Sequence, residues 1–326
     1  TFGIVSLLFL AGLEGSLRYF IRGLKTAGII AVGGVVGALL CGFLAMAILK
    51  LGLVEALAIG IVFSATSVSV TITTFEELGM LNTREAMLIV EAAVVDDVIG
   101  LVLLSFLGAF KEEVEYMTLL SIPVIAFLVW YGTAWFSSKY MDSVLKNIGK
   151  LRVFYGVEAF ALAILFILAF LAQEIGLSSI LLAYAYGIGL ASHRYFAKKI
   201  GGAVGFISAV FAPLFFIYVG YKLDVEYLHS IDILSILYIV AVIIVLGFAS
   251  KIIGCYIASR LIGLPHKSSL VVSIGMVPRS EVAMIASTLA YELGLIEADL
   301  FAAHLTMILA TVLLAPIVLK KILTMV

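Results

Sequence analysis

Residues Glu91–Phe106 read EAAVVDDVIGLVLLSF. Asp96 and Asp97 stand side by side in the middle of an apolar run long enough to cross a bilayer, which takes about 20 residues. A carboxylate at that depth is costly unless it is protonated, paired or facing a water-filled cavity, so it marks a functional position. Two adjacent carboxylates cannot both stay ionised without a cation between them. The pair must hold a proton, a metal ion or a basic side chain. That is the chemistry of a site that trades H⁺ for a cation.

The rest of the composition agrees with a membrane setting. Of 326 residues, 64% are hydrophobic and 13% charged, with a mean hydropathy of +1.25. Soluble domains average about half apolar and about a quarter charged residues. A net charge of −1 suggests no nucleic-acid partner. Cys41 and Cys255 fall in apolar stretches and read as buried thiols, with neither disulfide nor metal spacing. The chain opens with Thr1 at the edge of an apolar run, so its natural start is expected upstream.

Eleven apolar segments follow one another: 1–15, 25–49, 53–76, 84–109, 116–137, 151–173, 177–192, 200–221, 232–262, 267–291 and 299–320. The connections are too short for an extramembrane domain. Fifteen Lys and Arg residues fall in alternate connections on one side, against Lys50, Lys111 and Lys222 on the other. The positive-inside rule makes the richer side cytoplasmic and places the C-terminus there. Arg18, Arg22 and Arg152 belong to that richer set; Lys251 and Arg279 lie within segments.

Internal similarity is also present. FEELGML (Phe75–Leu81) recurs as AYELGLI (Ala290–Ile296) at an offset of 215, where Gly60 meets Gly275 and Ser64 meets Arg279. GLEGSLRYF (Gly12–Phe20) resembles GYKLDVEYL (Gly220–Leu228) at an offset of 208, where Tyr19 meets Tyr227. Either offset spans seven segments, an odd number, which gives copies of opposite orientation. Inverted repeats are a feature of transporters.

Two segments look interrupted. Ser64–Thr74 holds seven Ser and Thr residues, including Ser64, Thr66 and Ser67. Such hydroxyls serve backbone freed by a helix break, or simply permit close helix packing. In the matching segment, SIGMVPRSEVAMIAS, Pro278 removes a backbone donor two residues before Ser280, with Arg279 and Glu281 flanking that serine. Paired interruptions in the two halves point to a binding site. Arg279 does not deprotonate in proteins, which favours a structural ion pair over a proton-carrying role for it.

Lys251 is too deep in segment nine to reach the surface by its own length. It needs an acidic partner or must give up its proton. Glu91 precedes the aspartates by five and six residues and falls on another helix face, which suits a partner for Arg279 better than a third ligand. Glu14 reads as structural, Glu158 as able to reach water and His304 as a satisfied interior histidine.

The strings FSATSVSVTITTFEELGML, EAAVVDDVIGLV, SKIIG and GMVPRSEV, with LLFLAGLEGSLR near the start, together resemble the sodium/proton antiporters of the NapA and NhaA type. These belong to the monovalent cation:proton antiporter superfamily. The resemblance implies an all-α polytopic membrane protein of thirteen helices, with two inverted five-helix repeats and two crossed discontinuous helices. With eleven counted, two further N-terminal helices are expected. It implies a dimerisation domain (1–24 and 151–230), a linker helix (116–139) and an ion-transporting core (25–110 and 231–322).

By the same resemblance, Asp97 is the essential ion-binding aspartate and Asp96 its neighbour, paired with Lys251 when no Na⁺ is bound. Thr66 matches a threonine of the first broken helix, and Ser67 stands where some members carry an acid. Glu91, Arg279 and Glu281 are expected to form a structural ion pair. The implied activity is electrogenic Na⁺/H⁺ exchange by alternating access in the cytoplasmic membrane, serving pH homeostasis. Na⁺, and by extension Li⁺, is cargo at Asp96 and Asp97, and no cofactor is expected. The partners are membrane lipid and a second copy of the chain. Exchange of K⁺ for H⁺ is the rival activity. An intramembrane aspartyl protease is disfavoured because adjacent residues on one helix point about 100° apart; a plain channel is disfavoured by the lysine and the repeats.

Overall fold

A computed structural model describes residues 2–324 except 16, 18–20, 22–24, 110–115, 152, 225, 227–231 and 280. Arg18, Tyr19, Arg22, Lys111, Arg152, Tyr227 and Ser280 therefore lie outside the described residues.

All regular elements among the described residues are α-helices. In chain order they are α1 (Phe2–Glu14), α2 (Ala27–Leu49), α3 (Leu53–Ser64), α4 (Val68–Glu77), α5 (Arg84–Ala109), α6 (Tyr116–Lys150), α7 (Gly156–Glu174), α8 (Ser179–Leu190), α9 (Arg194–Tyr221), α10 (Ile233–Leu261), α11 (His266–Gly275), α12 (Glu281–Glu292) and α13 (Ala298–Thr324). Each of the eleven apolar segments carries helix, and two of them carry two helices with a gap between. Among the described residues, seven stretches are long and apolar enough to span a bilayer: α2, α3 with α4, α6 from Ser121, α7, α9, α10 and α13.

Two helices outrun their apolar segments by about six residues or more. α6 continues past residue 137 to Lys150, and α9 starts at Arg194 rather than 200. Hydropathy registers only the apolar part of a helix. The extension of α6 is polar and carries Asp142 and Lys146 at i,i+4, a spacing that supports helix in water.

The chain divides into two compact units. The first holds Thr1–Ile21 and Leu101–Tyr221; the second holds Arg22–Gly100 and Lys222–Val326. In the first, α8 packs on α1, α6 and α7, and α1 also packs on α9. Helix association in lipid relies on close packing of small residues. A Cβ on Gly12 of α1 would meet Tyr184 O at 2.5 Å, and one on Gly187 of α8 would meet Phe9 O at 2.3 Å. Only glycine lets these two backbones touch.

In the second unit, α10 packs on α2, α11 and α13, while α3 packs on α2 and α12. The α2–α10 crossing uses the same device: a Cβ on Gly254 would meet Gly33 O at 2.2 Å, and one on Gly37 would meet Ser250 O at 2.3 Å. This crossing seats Lys251 in the interior. Elsewhere large apolar side chains face outward, such as Phe206, Ile217 and Leu128. In water that would be an error of patterning; in hydrocarbon it is the solvated face.

Candidate ion-exchange site

The second unit contains two helix breaks that meet. α3 ends at Ser64, and residues 65–67 run extended before α4, with φ −65° and ψ 142° at Ala65. α11 ends at Gly275, and the chain resumes helix at Glu281. A break frees carbonyls at the end of one half-helix and N–H groups at the start of the next. Here they serve one another. Ser67 N–H donates to Pro278 O (2.7 Å), Thr66 Oγ1 to Met276 O (3.2 Å) and Thr71 Oγ1 to Gly275 O (2.6 Å). Ser64 Oγ donates back to Ile61 O within its own helix (2.8 Å), and the Ser67 hydroxyl lies 3.2 Å from that of Ser69. The hydroxyl-rich stretch thus serves the breaks rather than plain helix packing alone.

Arg279 occupies this junction fully buried. Its Nε and Nη2 donate to Phe63 O (3.1 and 2.9 Å), its Nη1 to Val277 O (3.0 Å), and its Nη2 also to Gly247 O (2.7 Å) and Ser250 Oγ (2.8 Å). Phe63 O lies one residue before the end of α3, and Val277 O just past the end of α11. A cation at two helix C-termini opposes the negative ends of both macrodipoles. Glu281 sits in the first turn of α12, where an acid opposes the positive end.

These contacts correct the expected Glu91–Arg279 pair. Among the described residues, the guanidinium bonds run to carbonyls and one hydroxyl and not to Glu91. The physical reason is that four freed or shared acceptors already surround the fork.

On α5, Asp96 is fully buried and Asp97 partly exposed. Lys251 Nζ, also fully buried, donates to Asp96 Oδ1 at 2.7 Å. Asp96 Oδ2 is buried with no hydrogen-bond partner among the described residues. So the described geometry brings together Asp96 with Lys251, and Thr66, Ser67, Pro278 and Arg279 with the breaks. Glu91 is half-buried, and none of these Arg279 hydrogen bonds reaches it.

Two other readings change. Glu158 is 6% exposed and lies 3.6 Å from Lys199 Nζ, so it is a buried, paired acid. Among the described residues His304 is satisfied on one side only: Nδ1 lies 3.1 Å from Ser287 Oγ, while Nε2 has no partner. Reasoning from sequence missed Phe63, Gly247 and Ser250. The first two act through their carbonyls, which no residue type advertises. Ser250 stands directly before Lys251 in an apolar stretch of α10, a signal present in the sequence.

Comparison with known proteins adds the following. A family model described as "Sodium/hydrogen exchanger, transmembrane" matches residues 1–325. The chain is 29% identical over 322 residues to the Na(+)/H(+)-K(+) antiporter GerN of Bacillus cereus, covering 98% of this chain and 81% of that one. It is 29% identical over 321 residues to a Na(+)/H(+) antiporter of Enterococcus hirae, covering 98% and 82%. Its fold resembles that of the sodium proton antiporter MjNhaP1 from Methanocaldococcus jannaschii, with a TM-score of 0.69 at 18% identity, covering 99% of this chain and 83% of that one.

Proposed function

The chain belongs to the sodium/hydrogen exchanger transmembrane family, and we propose that it exchanges Na⁺ for H⁺ by alternating access, with the site carried by its second unit. The family places it within the monovalent cation:proton antiporters, multi-pass membrane proteins that are transporters and not enzymes. The observation that carries the finer reading is the buried Lys251–Asp96 pair, with Asp96 Oδ2 left unmatched among the described residues.

A buried carboxylate with one oxygen on an ammonium and the other unused has two ways to neutralise its charge. It keeps the lysine, or it takes a cation or proton in its place. Na⁺ favours oxygen ligands. The carbonyls freed at the two breaks already accept bonds from Arg279, Ser67, Thr66 and Thr71. The carboxylates of Asp96 and Asp97 are then the principal anionic ligands for an arriving ion, with Asp97, the more exposed, meeting it first. Proton and cation compete for the same oxygens, and this competition couples the two flows. When Na⁺ takes Asp96, Lys251 loses its counter-charge and releases its proton. With a second proton displaced from Asp97 by the same ion, two protons move for one Na⁺ and the exchange is electrogenic.

The matching ends of the two broken segments support an inverted repeat. At the offset of 215, the end of α4 at Glu77 falls on the end of α12 at Glu292. We assign residues 25–110 and 231–322 to the ion-carrying core, a division supported by the second compact unit. We assign 1–24 and 151–230 to a scaffold through which two copies pair in the cytoplasmic membrane, with the C-terminus cytoplasmic.

The test is proton flux in proteoliposomes with Na⁺, Li⁺ or K⁺ added in turn. Flux driven by Na⁺ and not by K⁺ supports the reading. Flux driven by K⁺ alone replaces it with K⁺/H⁺ exchange, a second reading kept in view because GerN is a Na(+)/H(+)-K(+) antiporter.

A further inference from the structure

We infer that Ser250 is a positioning residue: its hydroxyl, held by Arg279, sets the turn of α10 that presents Lys251 to Asp96. The inference rests on the exchange reading above. Ser250 is fully buried. Its Oγ donates to Gly247 O at 2.7 Å and accepts from Arg279 Nη2 at 2.8 Å. The same Nη2 reaches Gly247 O at 2.7 Å and Phe63 O at 2.9 Å.

Gly247 O is also the acceptor that the i→i−4 ladder of α10 assigns to the Lys251 N–H. One turn of helix, from Gly247 to Lys251, is therefore gripped at its carbonyl and at its hydroxyl by a cation anchored in the two breaks. The next side chain along that turn is the lysine. A serine inside a helix ordinarily does no more than bond back to its own preceding turn. Here it also accepts from a charged donor on another element, which is the stronger kind of bond.

The competing role is steric. Ser250 lies where α2 and α10 nearly touch, and its carbonyl is the atom a Cβ on Gly37 would strike. That contact is with the backbone, so alanine would serve it equally well. The hydroxyl is what Ser250→Ala removes, and size is what it keeps.

The consequence follows from competition. A lysine held less firmly against Asp96 competes less well with the arriving cation, so the apparent KM for Na⁺ falls. General damage to the fold would instead raise KM or lower only kcat. In proteoliposomes, Ser250→Ala is expected to lower the KM for Na⁺ by up to roughly tenfold, the size of one hydrogen bond to a charged group. Ser250→Thr, which retains the hydroxyl, is expected to restore it. In a Lys251→Ala background, Ser250→Ala is expected to add nothing, because its effect runs through the lysine.

An unchanged or raised KM in Ser250→Ala overturns the inference, as does an undiminished shift in the Lys251→Ala background. If Ser250→Ala does not fold, Ser250→Cys carries the test: its weak thiol must move KM, and a wild-type value overturns the proposal. If Lys251→Ala itself leaves both KM and voltage dependence unchanged, the part given to Lys251 in the exchange reading fails on its own account, and the inference about Ser250 falls with it.

Discussion

Lys251 and Asp96 stand 155 positions apart in the chain, yet Nζ lies 2.7 Å from Oδ1 with both side chains sealed from solvent. A buried ion pair adds little net stability, because desolvation of both groups offsets their attraction. Removing one partner is a different matter, since it strands a charge in the interior. The pair is thus poorly explained as a staple and well explained as a position where one cation replaces another.

The first prediction concerns the lysine. Lys251→Ala is expected to leave a slower exchange that no longer responds to membrane potential, because one of the titrating charges is gone. Na⁺-driven proton flux at imposed potentials measures this. Voltage dependence equal to that of the wild type would remove Lys251 from the transport cycle. In detergent the same variant should lose about 3–5 kcal/mol of stability at a pH where Asp96 is ionised, the cost of stranding one buried charge.

The second concerns the neighbouring acid. Asp97→Asn is expected to abolish cation-dependent proton movement, since the amide neither carries a proton nor balances a cation. Wild-type flux in this variant would end the reading of Asp97 as a cation ligand.

These two residues and the breaks were legible in the sequence for one reason. A charge or a proline inside an apolar run has a cost, and the sequence displays that cost openly. Asp96, Lys251 and Pro278 each stand out against their neighbours without any structure. The partners of Arg279 do not. Phe63 and Gly247 contribute carbonyls, which every residue possesses, so no spacing marks them. That is why the sequence alone points Arg279 to Glu91: among side chains, a carboxylate is the obvious match, and main-chain acceptors freed by a break are invisible until the break is placed. The polar extension of α6 was lost for a related reason, since hydropathy follows the membrane and not the helix.

The third prediction tests the packing that seats the lysine. Gly254→Val is expected to force α2 and α10 apart, because even a Cβ there would stand 2.2 Å from Gly33 O. Thermal stability and transport should both fall. Gly220→Ala in α9 is the control: a Cβ there meets nothing within 4 Å, and alanine favours helix by roughly 1 kcal/mol. Equal losses in the two variants would show that α2–α10 contact is not what matters.

The fourth separates the two accounts of Arg279. If it pairs with Glu91, then Glu91→Gln and Arg279→Gln should cost alike, and exchanging the two charges should restore stability. The geometry leads to the opposite expectation. Glu91→Gln should shift stability by no more than about 0.5 kcal/mol, the usual range for a site without such a contact. Arg279→Gln leaves Phe63 O and Val277 O without their buried donor, and each unsatisfied group costs about 1–3 kcal/mol. Arg279→Lys should rescue little, because a single ammonium on a flexible stem cannot reproduce a planar fork that spans two half-helix ends and α10. The charge-swapped double variant should be no more stable than Arg279→Glu alone. Melting curves of the purified variants decide the matter, and rescue by the swap would return Arg279 to Glu91.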